Sequence, residues 1–241
     1  MDNLLGEFVG TTVLLAFGCG VNADLSLKKC YANGGGWICT AWGWGLAVLL
    51  GVFTAVALGA PEADLNPSVT LAKTLAGVYT VPQCLATMAA ELAGGVAGAT
   101  IVWLAYLPHW EETEDQGTKL GVFATGPAIN KPVCNFISEA IATFFLMFLI
   151  WMVFSKANGP LPAGFGPYCV ALIIVAIGLS FGGTTGYSMN MARDLGPRIA
   201  HAILPIAGKG DSNWSYAWIP SLAPMAGAAV AYVAAKALGV L

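Results

Sequence analysis

Six long apolar segments recur along the chain, and they limit strongly what it can fold into. They cover about residues 4–22, 38–59, 83–107, 134–155, 167–186 and 217–240. A helix of about 20 apolar residues spans the roughly 30 Å of hydrocarbon in a bilayer. Only 10% of the residues are charged, whereas a soluble domain carries about 25%. We therefore predict an all-α membrane protein with six transmembrane helices.

Several classes of protein are excluded or disfavoured by the same sequence. The net charge of −3 provides no basic face for nucleic acid. Met1-Asp2-Asn3 carries no positive charge, so the first apolar segment is interpreted as a retained helix and not as a signal peptide. His109 and His201 are isolated, and no cluster has the spacing of metal ligands. The metalloprotease motif H-E-x-x-H is absent, and we expect no enzyme, no metal and no cofactor.

Two further apolar stretches, residues 67–78 and 191–203, are too short to cross a membrane. Each comes directly after an asparagine, Asn66 or Asn190, and asparagine is a favoured helix N-cap. Pro67 suits the first position of a helix. Each stretch is thus predicted to be a half-helix that begins inside the membrane. Irregular backbone at that depth is tolerated only where it is buried in protein or lines a watery cavity.

The chain also contains an internal repeat. Glu7-x-x-x-Thr11 in the first apolar segment has a counterpart in the fourth, Glu139-x-x-x-Thr143. Three crossings precede the second copy, and an odd number inverts its orientation. We predict a single channel domain over 1–241, with inverted halves at about 1–107 and 132–241. An extramembrane loop at about 108–131, solvated at its acidic cluster, joins them.

At this point the sequence resembles a known family, the aquaporins or major intrinsic proteins. The two Asn-Pro-Ala motifs of that family correspond to Asn66-Pro67-Ser68 and Asn190-Met191-Ala192. Three other parts of the sequence carry the resemblance: Gly6-Glu7-Phe8-x-Gly10-Thr11, Gly121-Val122-Phe123-Ala124-Thr125 and Gly186-Tyr187-x-Met189-Asn190-x-Ala192-Arg193-Asp194-x-Gly196-Pro197-Arg198. Asp194 after the arginine is typical of the aquaglyceroporin, or glycerol facilitator, branch. The resemblance implies the aquaporin fold.

The resemblance also implies a selectivity filter of four residues, Trp44, Gly178, Tyr187 and Arg193. The two aromatic rings suit the carbon chain of a solute, and the arginine offers donors to its hydroxyl groups. Gly178 leaves a wider gate than the histidine usual in water-selective relatives. We therefore expect a passive channel for glycerol and other small uncharged solutes that also passes water. The positive ends of the half-helices oppose protons and cations.

Other residues are assigned less uniquely by the sequence. Glu7 and Glu139 suit a structural role, in which they accept backbone N–H groups of the irregular loops, and a proton relay is the alternative. Asp194 is grouped with them as structural support. Met191 replaces the usual proline and adds a backbone donor at the start of its half-helix. Ser68 replaces the usual alanine, Asp64 lies where relatives often carry histidine, and Glu91 lies where they commonly carry glutamine.

The sequence leaves alternative functions open. The pore could serve mainly another neutral solute, namely water, urea, dihydroxyacetone, hydrogen peroxide or protonated lactic acid. A secondary transporter also uses inverted repeats and broken helices. By resemblance, the protein is expected to be a homotetramer in the bilayer of the cell membrane with cytoplasmic termini. The distribution of lysines and arginines does not predict that orientation.

Overall fold

The computed structural model describes residues 3–241, and all the regular secondary structure of that part of the chain is helical. In those residues the chain forms ten α-helices and one 3₁₀ turn. In chain order the α-helices are α1 (Leu4–Ser26), α2 (Trp37–Ala57), α3 (Pro67–Leu75), α4 (Val81–Ala105), α5 (Leu107–Glu112), α6 (Gln116–Phe123), α7 (Pro132–Val153), α8 (Phe165–Thr185), α9 (Met191–Ile203) and α10 (Trp218–Ala237).

Six of these helices, α1, α2, α4, α7, α8 and α10, are long and apolar enough to cross a membrane. Within the described residues, an 18-residue window of each has a mean hydropathy between 1.4 and 2.1. The largest difference from the sequence prediction is at the end of α1, expected at residue 22 and found at Ser26. The two short stretches form α3 and α9. The predicted fold class, six long helices with two half-helices, is confirmed.

The segment expected to be a loop between the halves is more ordered than predicted, because it contains α5 and α6. Its acidic side chains are exposed, as expected. Two aromatic side chains, Trp110 and Phe123, instead face inward and are almost fully buried. Their rings stack with centroids 5.5 Å apart. This apolar contact holds the segment against the helices, so that its backbone lies beside α9.

The closest helix packing involves one glycine in each half of the chain. A Cβ on Gly94 of α4 would lie 2.4 Å from the carbonyl oxygen of Phe8 in α1. A Cβ on Gly227 of α10 would lie 2.1 Å from the carbonyl oxygen of Ala140 in α7. Any side chain at either position would overlap the neighbouring backbone, so glycine permits the close crossing of α1 with α4 and of α7 with α10.

The half-helices α3 and α9 meet at their N-termini. Asn66 caps α3 by accepting the Ser68 N–H at 2.9 Å, and Asn190 caps α9 by accepting the Arg193 N–H at 3.1 Å. The side-chain amide of Asn66 donates to the Met189 carbonyl at 2.8 Å, and that of Asn190 donates to the Leu65 carbonyl at 2.7 Å. These reciprocal bonds join the two half-helices in the middle of the molecule.

Candidate functional site

A cavity of about 800 Å³ lies between the long helices. Its wall is mainly the apolar side chains of α2, α7 and α8, and its polar groups come from the half-helices and the segments before them. Lys73 and Lys236 line it in one region, and Trp44, Tyr187 and Arg193 line it in another. The cavity therefore contains both the central asparagines and three of the four predicted filter residues.

Trp44 is held in place by α1. A Cβ on Gly18 would lie 2.3 Å from the indole ring, so the ring lies flat on a helix surface that has no side chain there. The indole N–H donates to the Asn22 side-chain oxygen at 3.1 Å. The indole N–H is the only hydrogen-bond donor of a tryptophan side chain. Because this donor is used by Asn22, the ring of Trp44 presents an apolar face to the cavity.

Tyr187 occupies the space that Gly178 leaves empty. A Cβ on Gly178 would lie 2.8 Å from Cζ of the tyrosine ring. The Trp37 indole packs on the ring edge-on, with centroids 5.8 Å apart, and donates its N–H to the Gly178 carbonyl at 2.8 Å. Tyr187 itself has φ of +39°, a left-handed conformation. The absent side chain at 178 thus seats the tyrosine, and it does not by itself widen the pore.

Arg193 lies against Trp44. Its guanidinium carbon is 3.9 Å from the centroid of the indole ring, which is a stacking contact. One terminal nitrogen donates to the Phe123 carbonyl at 3.1 Å. No solute fits between two groups in contact, and all three side chains at this constriction are buried. The guanidinium of Arg193 thus covers one face of the Trp44 ring in this structure.

A buried ion pair holds the backbone behind Arg193. One oxygen of Asp194 accepts from Arg198 at 2.7 and 2.9 Å, and the other accepts the N–H and hydroxyl of Thr125 at 2.7 and 2.6 Å. Arg198 also donates to the carbonyls of Thr125, Ser212 and Asn213. Every charge in this pair is satisfied, so the pair fixes Thr125 just after α6. The last residue of α6, Phe123, provides the carbonyl that orients Arg193.

The glutamates Glu7 and Glu139 make equivalent contacts in the two halves. Glu7 accepts the N–H groups of Asp64 and Leu65 at 3.0 and 2.9 Å. Glu139 accepts those of Ser188 and Met189, both at 2.9 Å. Leu65 and Met189 have φ of +53° and +52°, a conformation that costs about 1–2 kcal/mol for residues with a side chain. Both glutamates therefore bind the strained backbone just before a half-helix.

Comparison with known proteins identifies the family of this chain. The sequence model of the family described as "MIP: Major intrinsic protein" matches residues 1–234. The chain belongs to the major intrinsic protein family. It is 49% identical, over 94% of its length and 92% of the relative's, to glycerol uptake facilitator protein 3 of Lactiplantibacillus plantarum. It is 47% identical to the glycerol uptake facilitator protein of Streptococcus pneumoniae strain R6, over 96% of this chain and 97% of the relative.

Among solved structures, the X-ray structure of the aquaglyceroporin from Plasmodium falciparum is similar over 98% of this chain and 95% of that one. The TM-score is 0.85 and the sequence identity is 27%. The protein is thus a multi-pass membrane protein with the aquaporin fold.

The departures from the family motifs have defined surroundings. Met191 begins α9 at the position where Pro67 begins α3. Ser68 is fully buried, and its hydroxyl has no hydrogen-bond partner within the described residues. Asp64 is paired with Lys73 at 2.6 Å, and Lys73 also contacts the Glu62 carboxylate at 2.9 Å. Lys73 therefore neutralises part of the acidic charge at its end of the cavity.

Sequence reasoning missed Thr70, Lys73, Trp37 and Asn22, which contact the residues it had singled out. Thr70 lies four residues after Asn66 on α3 and so shares its face of the half-helix, a spacing that would have indicated it. Asn22 and Trp37 carry no comparable signal, because they act on Trp44 and Tyr187 across helix contacts. Over residues 3–241, no group of three or more His, Cys, Asp or Glu side chains is placed to hold a metal ion.

Proposed function

We propose that this protein is a passive channel for glycerol and other small uncharged solutes, and that it also passes water while excluding protons and ions. The observation that carries the proposal is the constriction formed by Trp44, Tyr187 and Arg193 at the end of a largely apolar cavity. Two relatives that align over nearly their whole length are named glycerol uptake facilitators. Nothing in this mechanism requires a chemical reaction, so the protein is a channel and not an enzyme.

Permeation would use the two kinds of surface in the cavity. A polyol has a carbon backbone on one side and hydroxyl groups on the other. The rings of Trp44 and Tyr187 cover the carbons, and the guanidinium of Arg193 replaces part of the water around the hydroxyls. In this proposal a crossing solute separates Arg193 from Trp44, and glycerol competes with the stacking contact for the guanidinium.

Protons and cations would be excluded at the central asparagines. Each side-chain amide has two N–H groups, and one of them already donates to a backbone carbonyl of the opposite half. The second donor of Asn66 and of Asn190 is available to a solute oxygen. The two helix N-termini add positive potential at this place, which opposes a hydrated proton.

The assembly and the orientation are part of the same proposal. The protein is a homotetramer in the cell membrane with one pore per subunit and with cytoplasmic termini. Its halves, about 1–107 and 132–241, form an inverted repeat. The matched contacts of Glu7 with Glu139, of Gly94 with Gly227 and of Asn66 with Asn190 support the repeat.

Stopped-flow light scattering on proteoliposomes under an inward glycerol gradient tests the function. The parent protein is compared with Gly178→His and with Gly183→His. A side chain at 178 collides with Tyr187, whereas a Cβ at Gly183, on the same helix, meets no atom within 4 Å. We expect fast glycerol entry in the parent and in Gly183→His, and strongly reduced entry in Gly178→His.

Other outcomes point to the alternatives. Water flux without glycerol entry would contradict the glycerol assignment and indicate a water channel. Saturable uptake that depends on an ion gradient would contradict a passive channel and favour a secondary transporter. Equal glycerol entry in all three proteins would place the gate away from Tyr187.

A further inference from the structure

The hydrogen bonds around Thr70 require one more proton than ionised carboxylates supply. The Thr70 hydroxyl oxygen lies 2.9 Å from Oδ2 of Asp64 and 2.8 Å from Oε1 of Glu91. A hydroxyl group has a single hydrogen, so it can donate fully to only one of two carboxylate oxygens. The other contact is a hydrogen bond only if a carboxyl group donates to the hydroxyl. One of the two carboxyl groups therefore carries a proton.

The surroundings identify Glu91 as the protonated group. Asp64 pairs with the ammonium group of Lys73 at 2.6 Å, which stabilises the ionised form of Asp64. Glu91 is fully buried and forms no salt bridge within the described residues. Its Oε1 contacts the Asn66 N–H at 3.0 Å as well as Thr70, but its Oε2 has no hydrogen-bond partner there. A buried, ionised oxygen without a donor is costly, and a neutral carbonyl oxygen is much less so.

The other charged groups around Glu91 act in the same direction. From α1, Glu7 faces it, and from the segment before α3, Asp64 adds negative charge. The Tyr79 hydroxyl lies near Asp64. Lys73 is the cation of this cluster and is bound to Asp64 and Glu62.

The charged groups of α9, the remaining helix that packs on α4, are engaged elsewhere. They are Arg193, Asp194 and Arg198, whose hydrogen bonds run to the last residue of α6, to the segment after it and to the segment before α10. An ionised Glu91 would thus lie among carboxylates without a cation of its own.

We propose that Glu91 is a proton-binding site that exchanges with the cavity through Thr70 and Asp64, and that its occupancy controls permeation. Asp64 and Lys73 both line the cavity. The Glu91 proton passes to the Thr70 oxygen as the Thr70 proton passes to Oδ2 of Asp64, and it leaves from there to water. The reverse steps reload the site, so protons are conserved and no oxidant or other reactant is needed.

The site acts on the pore through Asn66. Oε1 of Glu91 accepts the backbone N–H of Asn66, whose side chain bonds to the Met189 carbonyl of the other half. When Glu91 loses its proton, the single hydrogen of the Thr70 hydroxyl can serve only one of the two carboxylates, so one of the two contacts is lost, and the new charge repels Glu7 and Asp64. The segment before α3 then loses its present geometry, and the central donor of Asn66 moves with it. Permeability is expected to fall as pH rises.

Infrared spectroscopy of the full-length protein in lipid tests the proton directly. We expect a band of a protonated carboxyl group at neutral pH that shifts in D₂O and disappears in Glu91→Gln. The amide of glutamine has the shape of the neutral acid, and it leaves the fold intact. Glu114→Gln, at an exposed carboxylate, retains the band. A parent protein without this band at neutral pH, or a band that survives in Glu91→Gln, overturns the proposal.

The coupling to permeation rests on the proposed glycerol function and is tested separately. Glycerol entry is measured in proteoliposomes equilibrated at a series of pH values. The parent is expected to lose permeability as pH rises, while Glu91→Gln keeps its neutral-pH value throughout. Identical pH profiles in the two proteins overturn the coupling. An absence of glycerol flux in both at every pH refutes the glycerol function, and the infrared band still reports on the proton site.

Discussion

At the scale of single residues, the constriction depends on contacts that cross from one helix to another. Trp44 rests on Gly18 and binds Asn22, both on α1, while Arg193 from α9 stacks on its open face. The contact between a guanidinium group and a tryptophan ring contributes about 0.5–2 kcal/mol, depending on exposure. Stacking on Trp44 and the hydrogen bond to the Phe123 carbonyl together set the resting position of Arg193, and we expect a permeating solute to displace the stacking contact.

Replacement of Trp44 by phenylalanine tests this view of the gate. A phenyl ring attracts a guanidinium less than an indole does, and a loss of about 1 kcal/mol corresponds to a change of about fivefold in the equilibrium. We expect glycerol entry to rise by up to about that factor in proteoliposomes. Trp42→Phe, at an exposed tryptophan on the same helix, is the control and should leave entry unchanged. Slower entry in Trp44→Phe would contradict a gate held by stacking.

Glu139 provides a second residue-scale test, because it distinguishes a structural role from a proton relay. In Glu139→Gln an amide group replaces one acceptor oxygen, and one buried N–H of the strained segment loses its partner. Such a loss costs about 1–3 kcal/mol. We expect a lower unfolding temperature in detergent, with no change in the pH profile of glycerol entry. An unchanged unfolding temperature with an altered pH profile would favour the relay, and Glu114→Gln is the exposed control.

At the scale of elements, the two half-helices begin alike but not identically. Pro67 at the start of α3 has no N–H, and its fixed φ is already helical. Met191 at the start of α9 has an N–H and a freer backbone in the unfolded chain. Since the first N–H groups of a helix have no partner within it, α9 begins with one more donor to satisfy than α3.

We expect Met191→Pro to stabilise the protein by about 0.4–1 kcal/mol, because proline lowers the entropy of the unfolded chain and removes that donor. Pro67→Ala makes the opposite change at the matched position and should destabilise it by a similar amount. Thermal unfolding in detergent measures both, and glycerol entry should persist in Met191→Pro. A destabilised Met191→Pro would show that the Met191 N–H is bound by the native structure.

At the scale of the whole molecule, the two halves are built on matched contacts. Gly94 packs on the carbonyl of the residue after Glu7, and Gly227 packs on the carbonyl of the residue after Glu139. Each close crossing brings a glutamate-bearing helix to the place where its carboxylate reaches a half-helix. Outside, large apolar side chains remain exposed on the long helices, which suits lipid or a neighbouring copy of the chain.

Alanine at these glycines should therefore be destabilising, although alanine in a helix is normally favoured over glycine by roughly 0.5–1 kcal/mol. Gly94→Ala and Gly227→Ala each place a Cβ against a carbonyl oxygen, and overpacking of this kind costs about 1–3 kcal/mol. Gly20→Ala meets no atom within 4 Å and should be neutral or stabilising. Thermal unfolding of the three variants checks the signs, and equal stabilities would contradict the close crossings.

The mass of the assembly in detergent tests the proposed tetramer. We expect native mass spectrometry to give a particle of four chains, because the exposed apolar side chains would cover one another in part. A particle of one chain in mild detergent would contradict the tetramer. The glycerol assay on the same preparation would show whether a single chain conducts.

Much of this architecture followed from the sequence. The lengths of the apolar segments determine six crossings, because the thickness of hydrocarbon is fixed and lipid cannot satisfy backbone groups. Asn66 and Asn190 mark the start of the half-helices because an asparagine side chain replaces the missing acceptor there. Glu7 and Glu139 are identifiable because a buried carboxylate requires nearby donors. Each of these inferences depends on the chemistry of a single residue or short segment, or on the thickness and apolarity of the bilayer.

Only the tertiary structure decided what depends on contacts between distant segments. The absence of a side chain at Gly178 predicted a wider gate, but the Tyr187 ring fills that space because Trp37 presses it against α8. The contact of Arg193 with Trp44 depends on how α9 lies beside α2. The proton that we propose on Glu91 is argued from two distances at Thr70. No sequence pattern encodes such distances, because they are set by the packing of whole helices.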